Sequence, residues 1–181
     1  MVYPSTIITE PGVVEHIEGN RFSIGELGGT SSERCKRLAA SLIGAGLRAP
    51  IRGHIRHDMW IKLLGNVVFN PMSALTGATL VEMATHPESS DIVRAVMAEA
   101  DAVAEGLGVR LSLTIDQRMD GARKVGAHKT SMLQDLEAGR PMELESVVGV
   151  VIELGEKLGL PMPHTKTLYS CARLLGRVRA Q

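Results

Sequence analysis

The chain has 181 residues, 44% of them apolar, enough to bury a real core, with a single domain as the default expectation. Twenty Lys and Arg balance twenty Asp and Glu, and a net charge of zero argues against nucleic acid or an anionic membrane surface as partner, since either selects a basic face. Two cysteines without paired spacing, no apolar run near the roughly 20 residues that span a bilayer, and no leader pattern at the N-terminus predict a reduced, cytoplasmic protein with buried thiols.

The first thirty residues, "VYPSTIITEPGVVEHIEGNRFSIGELGG", are rich in β-branched residues and punctuated by Pro4, Pro11-Gly12, Gly19-Asn20 and Gly28-Gly29. They predict two or three short strands joined by turns, a sheet too small to stand alone. "GELGGT" invites a phosphate-loop reading, but no Lys-Ser/Thr pair follows and the glycine spacing is wrong, so a plain turn is expected. After residue 30 the apolar period changes from 2 to 3.6. Thr30 and Glu33 could form a capping box for a helix ending near Gly44 and Gly46, and "LRAPI" (47–51) could add a strand. Asp58 is the expected cap of a helix running through Trp60 to about Phe69, where Pro71 disturbs it. Another helix starts at Ser89, Ser90 or Asp91, with Ile92, Val93, Val96, Met97, Ala100, Val103, Ala104 and Leu107 as its apolar stripe. "TIDQRMDGARKVG", "TSMLQDLEAG", "MELESVVGVVIELGEKLG" and "TKTLYSCARLLGRVRA" supply four more helices. The fold class is therefore mainly α with a small β-rich entry, divided here as 1–52 and 53–181.

Within "WIKLLGNVVFNPMSALTG" (60–77), Lys62, Asn66 and Asn70 recur every four residues and fall within an arc of roughly 80° on a helix that is otherwise apolar. A polar stripe on so apolar a helix either snorkels and cross-braces its neighbours, or walls a cleft for a small polar ligand. In the second case desolvation would bring the lysine's pKa towards neutrality, as a general acid or base requires. Downstream, Ser131 can offer a hydroxyl near the start of one short helix, and Glu143 a carboxylate near the start of the next; ordinary capping and helix-dipole electrostatics explain both equally. Gln134 and Asp135 read as structural. His54 and His57 have the spacing of a helical metal pair, but no third ligand matches and no metal site is expected.

These segments, with "KTSMLQDLEAGRPMELESVVG" and "LGLPMPHTKTLYS", resemble the C-terminal half of the ketopantoate reductase (2-dehydropantoate 2-reductase) family; the opening stretch resembles the last strands of that family's nucleotide domain. The resemblance implies a helical bundle of the 6-phosphogluconate-dehydrogenase C-terminal type behind a Rossmann remnant. It further implies NADPH-dependent reduction of 2-dehydropantoate to pantoate, on the way to pantothenate and coenzyme A. By resemblance Lys62 protonates the developing alkoxide, Asn66 and Asn70 hold Lys62 and the substrate's oxygens, Ser131 lies near the substrate carboxylate, and Glu143 accepts a hydroxyl. Two positions depart from the family pattern: Leu80 stands where a further asparagine falls, and His128 where the loop before Ser131 sometimes has one. No G-x-G-x-x-G precedes a helix, so the chain alone is expected to be inactive and to bind NADPH weakly or not at all, with cofactor-binding residues unknown. The expected partners are a small 2-keto acid and a second copy of the chain. The rival readings are a stand-alone helical dimerisation or metabolite-binding module without redox activity, and a reductase of another 2-keto acid.

Overall fold

A computed structural model describes residues 1–179 and divides the chain into two compact units, Met1–Met59 and Trp60–Gln181. In the first unit, β1 (Ser5–Glu10) and β2 (Val13–Glu18) form an antiparallel hairpin in which Ile7 faces Glu15 and Ile8 faces Val14. Pro11 and Gly12 close it, with Gly12 at φ 83°, a value that a type II turn requires at its third residue. The expected strand at 47–51 reduces to two isolated parallel bridges, Arg21 with Arg48 and Ile24 with Ile51. Arg48 N–H donates to Asn20, and Phe22 and Ile24 N–H donate to Arg48 and Pro50. Pro50 has no N–H to return, so one rung of the ladder is missing before Arg52 N–H donates to Ile24 O at 2.7 Å. Helix α1 (Glu33–Gly44) is capped by Ser32, whose hydroxyl accepts from Cys35 N–H at 3.3 Å, and not by the Thr30 box. Cys35 is buried as expected, but Cys171 in the second unit is exposed, correcting the expectation of two buried thiols.

Helix α2 (Ile55–Thr76) starts three residues before Asp58 and runs straight through Pro71. Asp58 is a first-turn residue paired with Arg52 (Oδ1 to Nη2, 3.1 Å), not the cap. The helix survives its proline, a change that costs about 3 kcal/mol in an exposed helix, because Val67, Val68, Phe69, Met72 and Ala74 are all buried in the main core on both sides of it. There follow α3 (Leu80–Thr85), α4 (Pro87–Gly106), α5 (Ile115–Val125), α6 (Ser131–Glu137), a π-helical turn (Glu145–Gly149) leading into α7 (Val150–Lys157), and α8 (Pro163–Arg179). The short α3 escapes the periodicity reading, although Thr79 and Glu82 form its capping box. Helix α4 starts at Pro87, earlier than the serines suggest, as suits proline at a first helical position.

Helix α4 is the axle of the second unit, packing against α3, α5, α7 and α8. Val93, Val96, Met97, Ala100, Val103 and Ala104 of its predicted stripe are fully buried, while Ile92 and Leu107 stay 44% and 43% exposed. Its Glu99 caps α8 from outside: the carboxylate accepts from His164 N–H (3.0 Å), Thr165 N–H (2.8 Å), Thr165 Oγ1 (2.6 Å) and His164 Nδ1 (2.7 Å). Burial pushes the Glu99 pKa up, but the bonds from Thr165 and His164 outweigh it and hold the carboxyl below its ordinary value. A depressed folded-state pKa means that this stabilisation is fully present above the unfolded glutamate value and is lost as pH falls through the lower folded value. Glu99→Ala should cost about 2–3 kcal/mol at pH 7 in urea titration, and it should remove part of the acid-side loss of stability that the parent chain shows.

Candidate functional site

The stripe on α2 is real, and it grades from solvent to core. Lys62 is exposed, Asn66 is half-buried and Asn70 is 6% exposed, while Leu64, Val67, Val68 and Phe69 between them are buried. Eight residues of unbroken helix put Lys62 and Asn70 about 12 Å apart along the axis. The line continues one turn further than the sequence suggested. Ser73 lies on the same face, is fully buried, and donates to the Asn70 carbonyl at 2.9 Å. Its hydroxyl also shares a hydrogen bond with the hydroxyl of Thr130, itself 6% exposed.

Thr130 is the N-cap of α6, accepting from Leu133 N–H at 3.3 Å, and Ser131 is therefore the first helical residue and not the cap. The Ser73–Thr130 pair fastens the start of α6, with Ser131 exposed on it, to the buried end of the α2 stripe. The loop before α6 is fastened in turn to α3: Leu80 N–H donates to His128 O at 3.1 Å and Val81 N–H to Gly126 O at 3.2 Å. The two positions that depart from the family pattern, Leu80 and His128, are thus bonded to each other through their backbones. Glu143 is exposed and sits ahead of the π-helical turn, where its carbonyl accepts from Val147 N–H and Ser146 Oγ, each at 3.2 Å. A helix that stops before Pro71 leaves Ser73 out, and carrying the same helical wheel past the proline finds it; Thr130 comes from another element, and residue spacing does not pair it with α2.

Two other features compete for attention. A cleft of about 830 Å³ is lined by Met72, Met83, His86, Ser89 and Ile92 among others, and holds none of the predicted residues. Its Glu82 is already engaged by Thr79 Oγ1 at 2.6 Å, so size alone does not mark a site. In the "GELGGT" turn, Glu26 accepts from Ser32 Oγ and from Arg34 Nε (2.6 Å) at the start of α1. Bonds from Arg34 and then Ser32 hold its pKa at about 2 against the effect of burial. A carboxylate therefore stands where a phosphate would have to dock on that helix, and the turn does not fit a nucleotide. Among the described residues no three His, Cys, Asp or Glu side chains gather as a metal set, and no helix is long and apolar enough to cross a membrane.

The fold is shared with D-mandelate dehydrogenase in its ternary structure with NADH and anilino(oxo)acetate, at TM-score 0.86 and 19% identity over 98% of this chain and 59% of that one. The chain thus has a fold that makes up part of that dehydrogenase. Closer likenesses narrow the class. The family described as "Ketopantoate reductase PanE/ApbA C terminal" matches residues 54–176, and the chain belongs to the ketopantoate reductase family. The 2-dehydropantoate 2-reductase of Mesorhizobium japonicum is 47% identical over 97% of this chain and 54% of that protein. The crystal structure of 2-dehydropantoate 2-reductase from Methylococcus capsulatus superposes at TM-score 0.89 with 34% identity, over 99% of this chain and 62% of that one. The chain spans about half the length of the curated relatives it matches.

The hydroxyl bridge makes a direct prediction. Ser73→Ala or Thr130→Val alone should each cost about 1–3 kcal/mol, because each strands a buried hydroxyl or the α6 cap. Urea denaturation of the double variant should give less than the sum of the two losses, by at least about 0.5 kcal/mol; strict additivity would mean that the two hydroxyls are not coupled.

Proposed function

We propose that this chain is the substrate-binding and proton-donating part of a 2-keto acid reductase of the 2-dehydropantoate type. The observation that carries this reading is the Lys62–Asn66–Asn70 face of α2, continued by Ser73 to the start of α6. A single uninterrupted helix offers one exposed ammonium and, further along, two amides graded towards the core, which suits a small ligand with several oxygens. Lys62 supplies the proton: its N–H groups point charge at a carbonyl oxygen, and as negative charge builds there the ammonium donates to it. Asn66 and Asn70, with two donors and an acceptor each, orient the ketone and the hydroxyl of the substrate. Ser131 serves the carboxylate end and Glu143 accepts from a hydroxyl, both by resemblance to the family. In the family reaction NADPH supplies the hydride, and no residue of this chain is assigned to hold it. The first 52 residues read as the last part of a nucleotide domain, and the exposed Ile7, Ile8, Val13, Val14 and Ile17 of the hairpin suit a ribbon that other strands or a second copy would cover.

A second reading has its own observation. Leu80, where the family pattern has an asparagine, and His128, where it sometimes has one, are bonded neighbours, so one corner of the α3–α6 region departs from the pattern. That favours a 2-keto acid other than 2-dehydropantoate, reduced by the same Lys62 chemistry. The test is to join the chain behind the first half of the Mesorhizobium relative and follow NADPH oxidation with a panel of 2-keto acids. Lys62→Ala should lower turnover about 10²–10⁴-fold with an unchanged urea midpoint. Turnover within a few-fold of the parent would remove Lys62 from the chemistry, and the preferred acid decides between the two substrates.

A further inference from the structure

The segment that carries Glu143 enters α7 through the π-helical turn Glu145–Gly149, in which Val150 N–H donates to the Glu145 carbonyl. A π turn holds one residue more than an α turn. Its collapse to an α turn would swing every residue ahead of it, Glu143 included, by about 100° around the helix axis. The direction in which Glu143 points therefore depends on what keeps this turn wide. Burial of Leu144 and Val148 anchors its inner side.

Its outer side is held from α8. The Tyr169 hydroxyl donates to the Glu145 carboxylate, 2.7 Å from Oε1 and 2.8 Å from Oε2. Gly149 makes room for that carboxylate: a β-carbon there would lie 2.7 Å from Glu145 Oε2 and 3.6 Å from Tyr169 Cε2. Glu145 and Gly149 are the two ends of the π turn, so phenol, carboxylate and notch together clamp its full span. Arg173, one turn further along α8, lies over the Tyr169 ring at 5.9 Å and 3.9 Å from Glu145 Oε1, which steadies the ring.

We infer that Tyr169 is a positioning residue: through Glu145 and the Gly149 notch it keeps the π turn wide and so aims the Glu143 carboxylate at the substrate hydroxyl. The inference rests on the keto-acid reading, in which Glu143 accepts from that hydroxyl. The experiment is calorimetric titration of the 181-residue chain with 2-dehydropantoate and, separately, with trimethylpyruvate, the same 2-keto acid without its hydroxyl. The parent chain should prefer 2-dehydropantoate, and Glu143→Gln should remove most of that preference. Tyr169→Phe keeps the ring and loses the hydroxyl. It should weaken 2-dehydropantoate about fivefold and leave trimethylpyruvate within about twofold. Gly149→Ala should repeat this by pushing the Glu145 carboxylate out of its notch. Tyr169→Phe added to Glu143→Gln should cost nothing further, because it acts through the same carboxylate. Equal weakening of both compounds by folded Tyr169→Phe, no weakening of either, or a full extra loss in the double variant overturns the inference and leaves the keto-acid reading standing. A parent without the preference, or a Glu143→Gln variant that keeps it, removes the hydroxyl contact from Glu143 and the inference with it. A parent chain that binds neither compound overturns both the inference and the reading.

Discussion

One buried contact holds the candidate site together: the hydroxyl of Ser73 on α2 against the hydroxyl of Thr130 at the head of α6. The partners are 57 residues apart in sequence, and nothing in local propensity brings them together. Both hydroxyls are shut away from water, so each needs the other, and the desolvation cost of a misplaced pairing keeps the two helices in one register. Ser73 also holds the Asn70 carbonyl, and Thr130 satisfies the first turn of α6. The candidate residues at either end, Asn70 and Ser131, are thus positioned by one hydrogen-bond network.

The surrounding helices make this network affordable. Helix α4 fills the middle of the unit with six residues from which water is wholly excluded, and it fixes α8 through the Glu99 carboxylate. With that scaffold in place, α2 can keep a proline inside a 22-residue helix and can carry polar groups on one face. The gradient along that face, from an exposed Lys62 to a buried Asn70, suits a ligand that is bound at one end and reacts at the other.

Much of this was legible from residue spacing. The lysine and two of the chain's three asparagines repeat at helical period within an apolar run, and that pattern alone marked the face. The helical class and the core of α4 followed from the same periodicity. What the sequence hid has physical causes. Pro71 was read as a stop because local backbone chemistry says so, whereas burial on both sides of it outweighs the lost hydrogen bond; Ser73 was lost with it. Ser131 looked like a cap because serine favours that role, yet Thr130 takes it, since its hydroxyl can also reach Ser73. The strand at 47–51 failed at Pro50, where a parallel ladder needs an N–H.

The account stands on α2 and the start of α6 forming the wall that meets a 2-keto acid. The most direct measurement is a heteronuclear NMR map of the chain titrated with 2-dehydropantoate, reading the side-chain amides of Asn66 and Asn70 and the backbone amide of Ser131. The account predicts concerted, saturable shifts at those three positions with little change around Met83, His86 and Ile92. Shifts confined to the cleft lined by those last residues, with Asn66, Asn70 and Ser131 unmoved, would contradict it.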